Sequence, residues 1–244
     1  MSSPVRSSLP LDGKVAVLTG VSRRGQAGEV VARALAQRGV AVVLIDRTGV
    51  EAEARAAEIR AEGLRAVAMR ADLTDVAQLD EVARAVSREF GGVDALVNIA
   101  GGFSMSGKVG DSDPHAWSRQ LDIGLTTAYL TTRAFLPLVR VRRGAIVFFA
   151  AAAAVAGGRV AEMSAYAVSK AGVIMLMRAV AQEERDSGVR ANALAPTVIR
   201  TASNIESLGP TARYVEREEV ADAVHFLCFS EAARSITGQV VQLG

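Results

Sequence analysis

Residues 14–28 read KVAVLTGVSRRGQAG: an apolar run ending in Thr19, then a loop punctuated by Gly20, Gly25 and Gly28. A run of hydrophobes without polar alternation is what a strand buried on both faces requires. Glycines at its end let the backbone turn sharply into the helix predicted over Glu29–Gln37, which Gly39 stops. Such a strand–loop–helix unit opens a parallel α/β sheet, and ligands of these sheets bind beyond the carboxyl ends of the strands. Glycines also let main chain approach a phosphate, and the helix start adds unpaired amides and a positive dipole end. Gly20, Gly25 and Gly28 are therefore a candidate pyrophosphate seat, with Arg24 beside them.

The alternation continues to the C-terminus. Val40–Ile45 is a second buried strand, followed by a helix over Ala52–Ala61 that Gly63 closes. Leu64–Met69 is a third strand, and Thr74-Asp75 opens a helix carrying Val76, Leu79, Val82 and Val86 on one face. Val93–Asn98, Ala145–Phe149, Val189–Leu194 and Val240-Val241 supply further strands. Helices are predicted over Asp113–Phe135, Met163–Asp186 and Glu218–Phe229, with a loop of about 20 residues before the last of them. Buried strands alternating with helices mean a parallel sheet covered on both faces through right-handed crossovers. The reading is one doubly wound α/β domain over residues 11–244 behind a Ser/Pro-rich tail, 1–10, with no internal linker or repeat.

Composition narrows the function classes. Half of the 244 residues are hydrophobic and only 5% aromatic, so Ala, Val and Leu must build the core. Charged residues make up 22% with a net charge of +2, which excludes wholesale disorder. Glu51, Glu53, Arg55, Glu58 and Arg60 alternate as a solvated helix face does, and no basic stripe interleaves with aromatics. Neither nucleic acid nor a membrane is an expected partner. One cysteine, Cys228, and two histidines cannot supply a disulfide or a Cys/His metal cluster, so no metal is expected. No apolar run long enough to span a bilayer lacks a charge or Gly, and residues 1–10 lack a signal peptide's apolar segment. The expected location is cytoplasmic.

The second strand ends in Asp46-Arg47. An acid there can bind a ribose 2′-hydroxyl and repel a 2′-phosphate. Arg47, Arg23 and Arg24 pull the other way, since guanidinium forks suit phosphate. NAD(H) is favoured, with NADP(H) as the alternative.

Six motifs in order then carry a family resemblance: Thr19-Gly20 with its following glycines, Asp72-Leu73, and Asn98-Ile99-Ala100-Gly101, followed by Tyr166-Ala-Val-Ser-Lys170, Asn192-Ala-Leu-Ala-Pro196 and Ile236-Thr-Gly-Gln. From residue 11 to 244 the chain resembles the short-chain dehydrogenase/reductase family. The resemblance implies a Rossmann-like sheet of seven parallel strands in the order 3-2-1-4-5-6-7. It implies that Asp72 and Leu73 hold adenine, that Asn98, Ala100 and Gly101 line the adenosine ribose, and that Pro196, Ile199 and Thr201 border the nicotinamide and pyrophosphate. Tyr166 would be the proton donor, and Lys170, one helical turn on, would lower its pKa and bind the nicotinamide ribose. A phenol near pKa 10 needs such a charge to work at neutral pH. In a chain whose other lysines are only Lys14 and Lys108, a lysine at that place is informative. A small-molecule substrate is implied, as is a homodimer or tetramer through the helices carrying Leu121–Phe135 and Tyr166–Val180.

The chain departs from the family's pattern at two catalytic places. The serine position falls on Ala153 or Ala154, and the asparagine position on Gly124. Thr197 replaces a glycine, and the phosphate loop is about two residues long in excess. Loss of one polarising donor typically costs about 10²–10³ in rate. Three outcomes stay open. The substrate could be a quinonoid or imine that does not need the serine, as for the dihydropteridine reductases, which the chain resembles at Ala100–Phe103 and Pro196–Asn204. Ser104, Ser106 or Ser164 could substitute on an ordinary ketone or alcohol. The chain could also bind a nucleotide as a scaffold without turnover. The pocket would be lined by Gly102–Asp111, Gly157–Met163 and Ile199–Val215, with Phe103, Met105 and Met163 making it partly apolar.

Overall fold

The computed structural model describes residues 10–155 and 157–244, so all but the last residue of the expected tail, 1–10, lies outside the described residues. Seven strands form one parallel sheet: β1 (Val15–Thr19), β2 (Ala41–Asp46), β3 (Ala66–Arg70), β4 (Ala95–Asn98), β5 (Ala145–Phe149), β6 (Arg190–Pro196) and β7 (Val240–Leu243). Their order is β3-β2-β1-β4-β5-β6-β7, as the resemblance implied, and every neighbouring pair is parallel. The chain winds outward from β1 toward β3, then returns to β4, so β1 and β4 diverge at the switch point where such sheets bind ligands.

Period-2 geometry sends alternate side chains of each strand into two cores. Val15 and Val17 join α3 (Val76–Phe90), α5 (Thr127–Arg142) and α6 (Ser164–Glu183), where Leu79, Phe135 and Met177 are buried. Ala16 and Leu18 join α1 (Ala27–Gln37), α2 (Val50–Ala61) and α8 (Arg217–Phe229), where Leu35, Ile59 and Leu227 are buried. The central strands are buried throughout, whereas the edge strands β3 and β7 are only partly covered. That explains why β3 is shifted: the expected Leu64–Met69 strand pairs only over Ala66–Arg70, because an edge has one partner to define its ends.

Two other expectations change. The helix predicted over Asp113–Phe135 is three pieces: α4 (Pro114–Leu121), a π-helical turn over Asp122–Thr126, and α5, which runs on to Arg142. Gly124 sits in that turn because Ser169 of α6 packs on it; a Cβ there would lie 2.6 Å from the Ser169 Oγ. The loop after β6 is also not structureless. It holds α7 (Ala202–Leu208), whose Thr201 cap accepts a hydrogen bond from the Asn204 amide at 3.2 Å. Helix α6 is long and apolar enough to span a bilayer, at a mean hydropathy of 1.2, yet half of that window is buried inside the protein.

Candidate active site

The site assembles where β1 and β4 end. Gly20 adopts φ +71°, and a Cβ on it would lie 2.7 Å from the Ala100 Cα, so only glycine lets the two strand ends approach. Thr19 Oγ1 accepts a hydrogen bond from the Ala100 amide at 3.2 Å and locks the two turns together. A Cβ on Gly28 would meet the Gly20 carbonyl at 2.9 Å, which seats α1 against the strand end. Gly25, at φ +76°, donates its N–H to a Glu29 carboxylate oxygen at 2.6 Å, and its carbonyl accepts from the Ala202 amide at 3.1 Å. Residues far apart in sequence thus converge: the glycine loop, the Ala100-Gly101 turn, and Ile199 and Thr201 beyond the buried Pro196.

The adenosine end is less simple than its motifs. Asp46 accepts from the Thr48 amide at 3.0 Å and hydroxyl at 2.8 Å at the end of β2. Asp72 accepts from the Thr74 hydroxyl at 2.6 Å and amide at 2.9 Å. These bonds, with help from Arg47, hold its carboxyl below the usual range despite partial burial. Leu73 is buried in the first core, so its side chain packs there rather than facing a ligand. Arg24, within the glycine loop, is exposed and pairs with Glu58 of α2 at 2.5 Å. Arg47 is exposed, and its carbonyl accepts from Arg70 Nε at 3.2 Å. Asn98 also differs from expectation. Its side chain turns inward, donating to Thr132 Oγ1 at 3.0 Å, while Oδ1 is buried with no partner. At 3% exposure its amide offers no surface to a ribose.

Tyr166 and Lys170 lie one turn apart on α6 beneath these turns. Lys170 is 5% exposed, and its ammonium donates to the Phe149 carbonyl at 2.7 Å. It also lies 3.1 Å from where a Cβ on Gly101 would stand, so glycine there leaves room for the ammonium. Burial lowers the Lys170 pKa to about 8. Burial raises that of the Tyr166 phenol, contrary to the expected lowering. The cause is desolvation of the partly buried phenol; in this structure the Lys170 ammonium donates to the Phe149 carbonyl. The Tyr166 ring instead meets the Phe103 ring edge to face, with centroids 5.1 Å apart and planes at 85°.

Ala153 and Ala154 lie in a short 3-10 turn after β5 and bring methyl groups where a hydroxyl was sought. The three candidate substitutes have partners of their own. Ser104 Oγ donates to Gln120 Oε1 at 2.7 Å, and Ser106 pairs with Ser164 at 3.3 Å and with the Glu162 carbonyl. Sequence reasoning missed Gln120, which is 2% exposed, and Ser169, which fills the space facing Gly124. A polar residue on an amphipathic helix gives no signal that it points inward, so neither was legible beforehand.

Comparisons with known proteins agree with this geometry. Residues 20–243 match the family described as enoyl-(acyl carrier protein) reductase. The chain is 35% identical to a galactitol 2-dehydrogenase of Rhizobium johnstonii over 246 residues, 96% of this chain and 94% of that one. It is 34% identical to a 3-oxoacyl-[acyl-carrier-protein] reductase of Synechocystis, covering 94% of each. The crystal structure of a short-chain dehydrogenase/reductase from Burkholderia xenovorans superposes with a TM-score of 0.87 at 31% identity, covering 96% of both chains.

Proposed function

The chain belongs to the short-chain dehydrogenase/reductase family and is an oxidoreductase, and from that premise we propose an NAD(H)-preferring enzyme acting on a small carbonyl or quinonoid/imine compound, with Tyr166 as proton donor. The observation that carries the reading is the Lys170 ammonium lodged against Gly101, which ties the helix of the proton donor to the turn expected to line the nucleotide.

The residues present suit a dinucleotide. At Gly20, Gly25 and Gly28 an added Cβ would crowd the neighbouring chain, so these positions keep the loop free of side chains where a pyrophosphate would approach. Asp46 at the end of β2 favours the 2′-hydroxyl form, and Arg24, engaged with Glu58, is drawn away from a 2′-phosphate. When bound, the nicotinamide ring supplies or accepts the hydride. Tyr166 Oη gives or takes the proton at the substrate oxygen or nitrogen. Lys170 Nζ, held by its bond to the Phe149 carbonyl one turn along α6 from Tyr166, would stabilise negative charge as the phenol gives up its proton. Phe103, Met105, Val109 and Val160 expose apolar side chains on the loops around the cleft, which supports a partly apolar substrate. A dihydropterin is one such compound.

Association through α5 and α6 follows the same reading, since Tyr129, Val141, Val168 and Met175 on these helices are exposed hydrophobes. Alanine at Ala153 and Ala154 favours a second reading, a nucleotide-binding scaffold without turnover. The test is NADH and NADPH titration followed by NADH oxidation with quinonoid dihydropterin, quinones and a ketone panel. Tyr166→Phe should lower kcat by about 10²–10⁴ with nucleotide affinity intact. Full activity in that variant refutes the Tyr166 role, and tight NADH binding without turnover of any substrate selects the scaffold.

A further inference from the structure

Gln120 lies in the last turn of α4, immediately before the π-helical turn, and its side chain is almost wholly buried. A primary carboxamide taken from water costs free energy unless both halves are hydrogen-bonded. Both are, and by one short loop: Nε2 donates to the Gly102 carbonyl at 2.9 Å, and Oε1 accepts from Ser104 Oγ at 2.7 Å. Phe103 stands between those two anchors. The loop is otherwise exposed from Gly101 to Met105, and the Phe103 side chain is itself 58% exposed, so little burial holds it. Yet its ring sits edge on to Tyr166. A second tether follows at once, where the Ser106 and Gly107 amides donate to the Glu162 carbonyl at 2.8 and 3.1 Å. Glu162 adopts φ +62°, a strained conformation for a side chain of that kind, which marks the tether as closely constrained.

We propose that Gln120 is a positioning residue: its buried carboxamide bolts the Gly102–Ser104 loop in place so that the Phe103 ring covers the Tyr166 phenol and fixes how a substrate meets it. The inference rests on the reading of Tyr166 as proton donor. Gln120 touches no reacting atom; it acts through Phe103, which forms one wall over the phenol and would face the substrate. The arrangement supplies on this side of the cleft some of the orientation that Ala153 and Ala154 cannot supply by hydrogen bonding.

Two measurements test it on the full chain. The first needs no substrate: nitration of tyrosines by tetranitromethane, mapped by mass spectrometry, compares Tyr166 with the half-exposed Tyr129. Gln120→Met and Phe103→Ala should each raise Tyr166 nitration several-fold relative to Tyr129, and the double variant should rise no further than Phe103→Ala. Equal Tyr166 nitration in Gln120→Met and the parent overturns the proposal, as does a double variant whose increase is the product of the single ones. Should Gln120→Met fold poorly, Ser104→Ala removes one anchor while leaving the Gln120 bond to the Gly102 carbonyl in place and must shift nitration in the same direction.

The second measurement uses the first substrate to respond in the NADH-oxidation screen. Gln120→Met should lower kcat/KM by about 10–100-fold, the scale of a misplaced reacting group, while the Kd for NADH stays within twofold. A parallel loss of NADH affinity would mean a merely structural role and overturns the proposal. Retention of full activity by Tyr166→Phe is a different result: it removes the proton-donor reading itself, whatever the nitration shows.

Discussion

Gly124→Ala is the substitution whose sign separates this structure from ordinary helix energetics. In an open helical position, alanine for glycine gains about 1 kcal/mol. Here a Cβ would lie 2.6 Å from Ser169 Oγ and 3.1 Å from Ser169 Cβ, and the first distance is one that real atoms do not adopt. Ser169 can swing its hydroxyl away only by giving up its hydrogen bond to the Tyr166 carbonyl at 2.8 Å, a loss of about 1 kcal/mol. Rotation does not move its Cβ, and that residual crowding falls in the overpacking range of about 1–3 kcal/mol. The propensity gain offsets roughly the lost hydrogen bond, so net destabilisation of about 2 kcal/mol is expected. For a chain this long that lowers Tm by about 4–8 °C. The assay is thermal unfolding of Gly124→Ala, Ser169→Ala and the double variant. The double variant should recover about 1 kcal/mol relative to additivity, because the colliding oxygen is gone. A Tm that rises in Gly124→Ala, or exact additivity of the pair, refutes the reasoning. The same geometry predicts that Gly124→Asn, which would restore the family's residue, fails unless Ser169 is also reduced.

Three further outcomes follow from the charges. Lys170 has a folded pKa of about 8, below its unfolded value near 10.4, so the unfolded chain holds the extra proton between those values and Lys170 contributes a rise in stability across that window, on the order of 3 kcal/mol, opposed by the Cys228 thiol, which burial pushes up to about 12. Lys170→Met should therefore lose that contribution, so that its stability in urea titrations falls relative to the parent as pH rises from about 8 to 10; a pH-independent difference refutes the assignment. Glu29→Gln keeps an acceptor for the Gly25 amide but removes a negative charge from the phosphate cradle. NADH should then bind about fivefold tighter by calorimetry, the effect of about 1 kcal/mol, and unchanged or weaker binding would show the carboxylate to be a capping group only. Glu184, 3% exposed at its side chain, takes two bonds from Arg140 at 2.7 and 2.5 Å and one from Ser187 at 2.8 Å. The Arg140 hydrogen bond is the main reason that its carboxyl lies below the usual range, so this stability is present above about pH 4.3 and lost as pH falls through the folded value. Arg140 is half exposed, so Arg140→Met should cost only about 1–3 kcal/mol at neutral pH, shrinking in acid; a pH-independent cost contradicts the pairing.

The sequence by itself determined the sheet, its parallel sense and the family, because unbroken hydrophobic runs and glycine-bearing strand ends are local properties that survive without knowledge of the fold. It also placed Tyr166 and Lys170 on one helix face, a matter of 3.6-residue geometry alone. What it could not decide was where each polar side chain spends its hydrogen bonds. Asn98 turning inward to Thr132, Arg24 pairing with Glu58, and the Lys170 ammonium going to the Phe149 carbonyl each depend on a partner many residues away. Gln120 and Ser169 were invisible for the same reason: a buried polar group is defined by what surrounds it, and that environment exists only once α4, α6 and the Gly102–Ser104 loop have packed together.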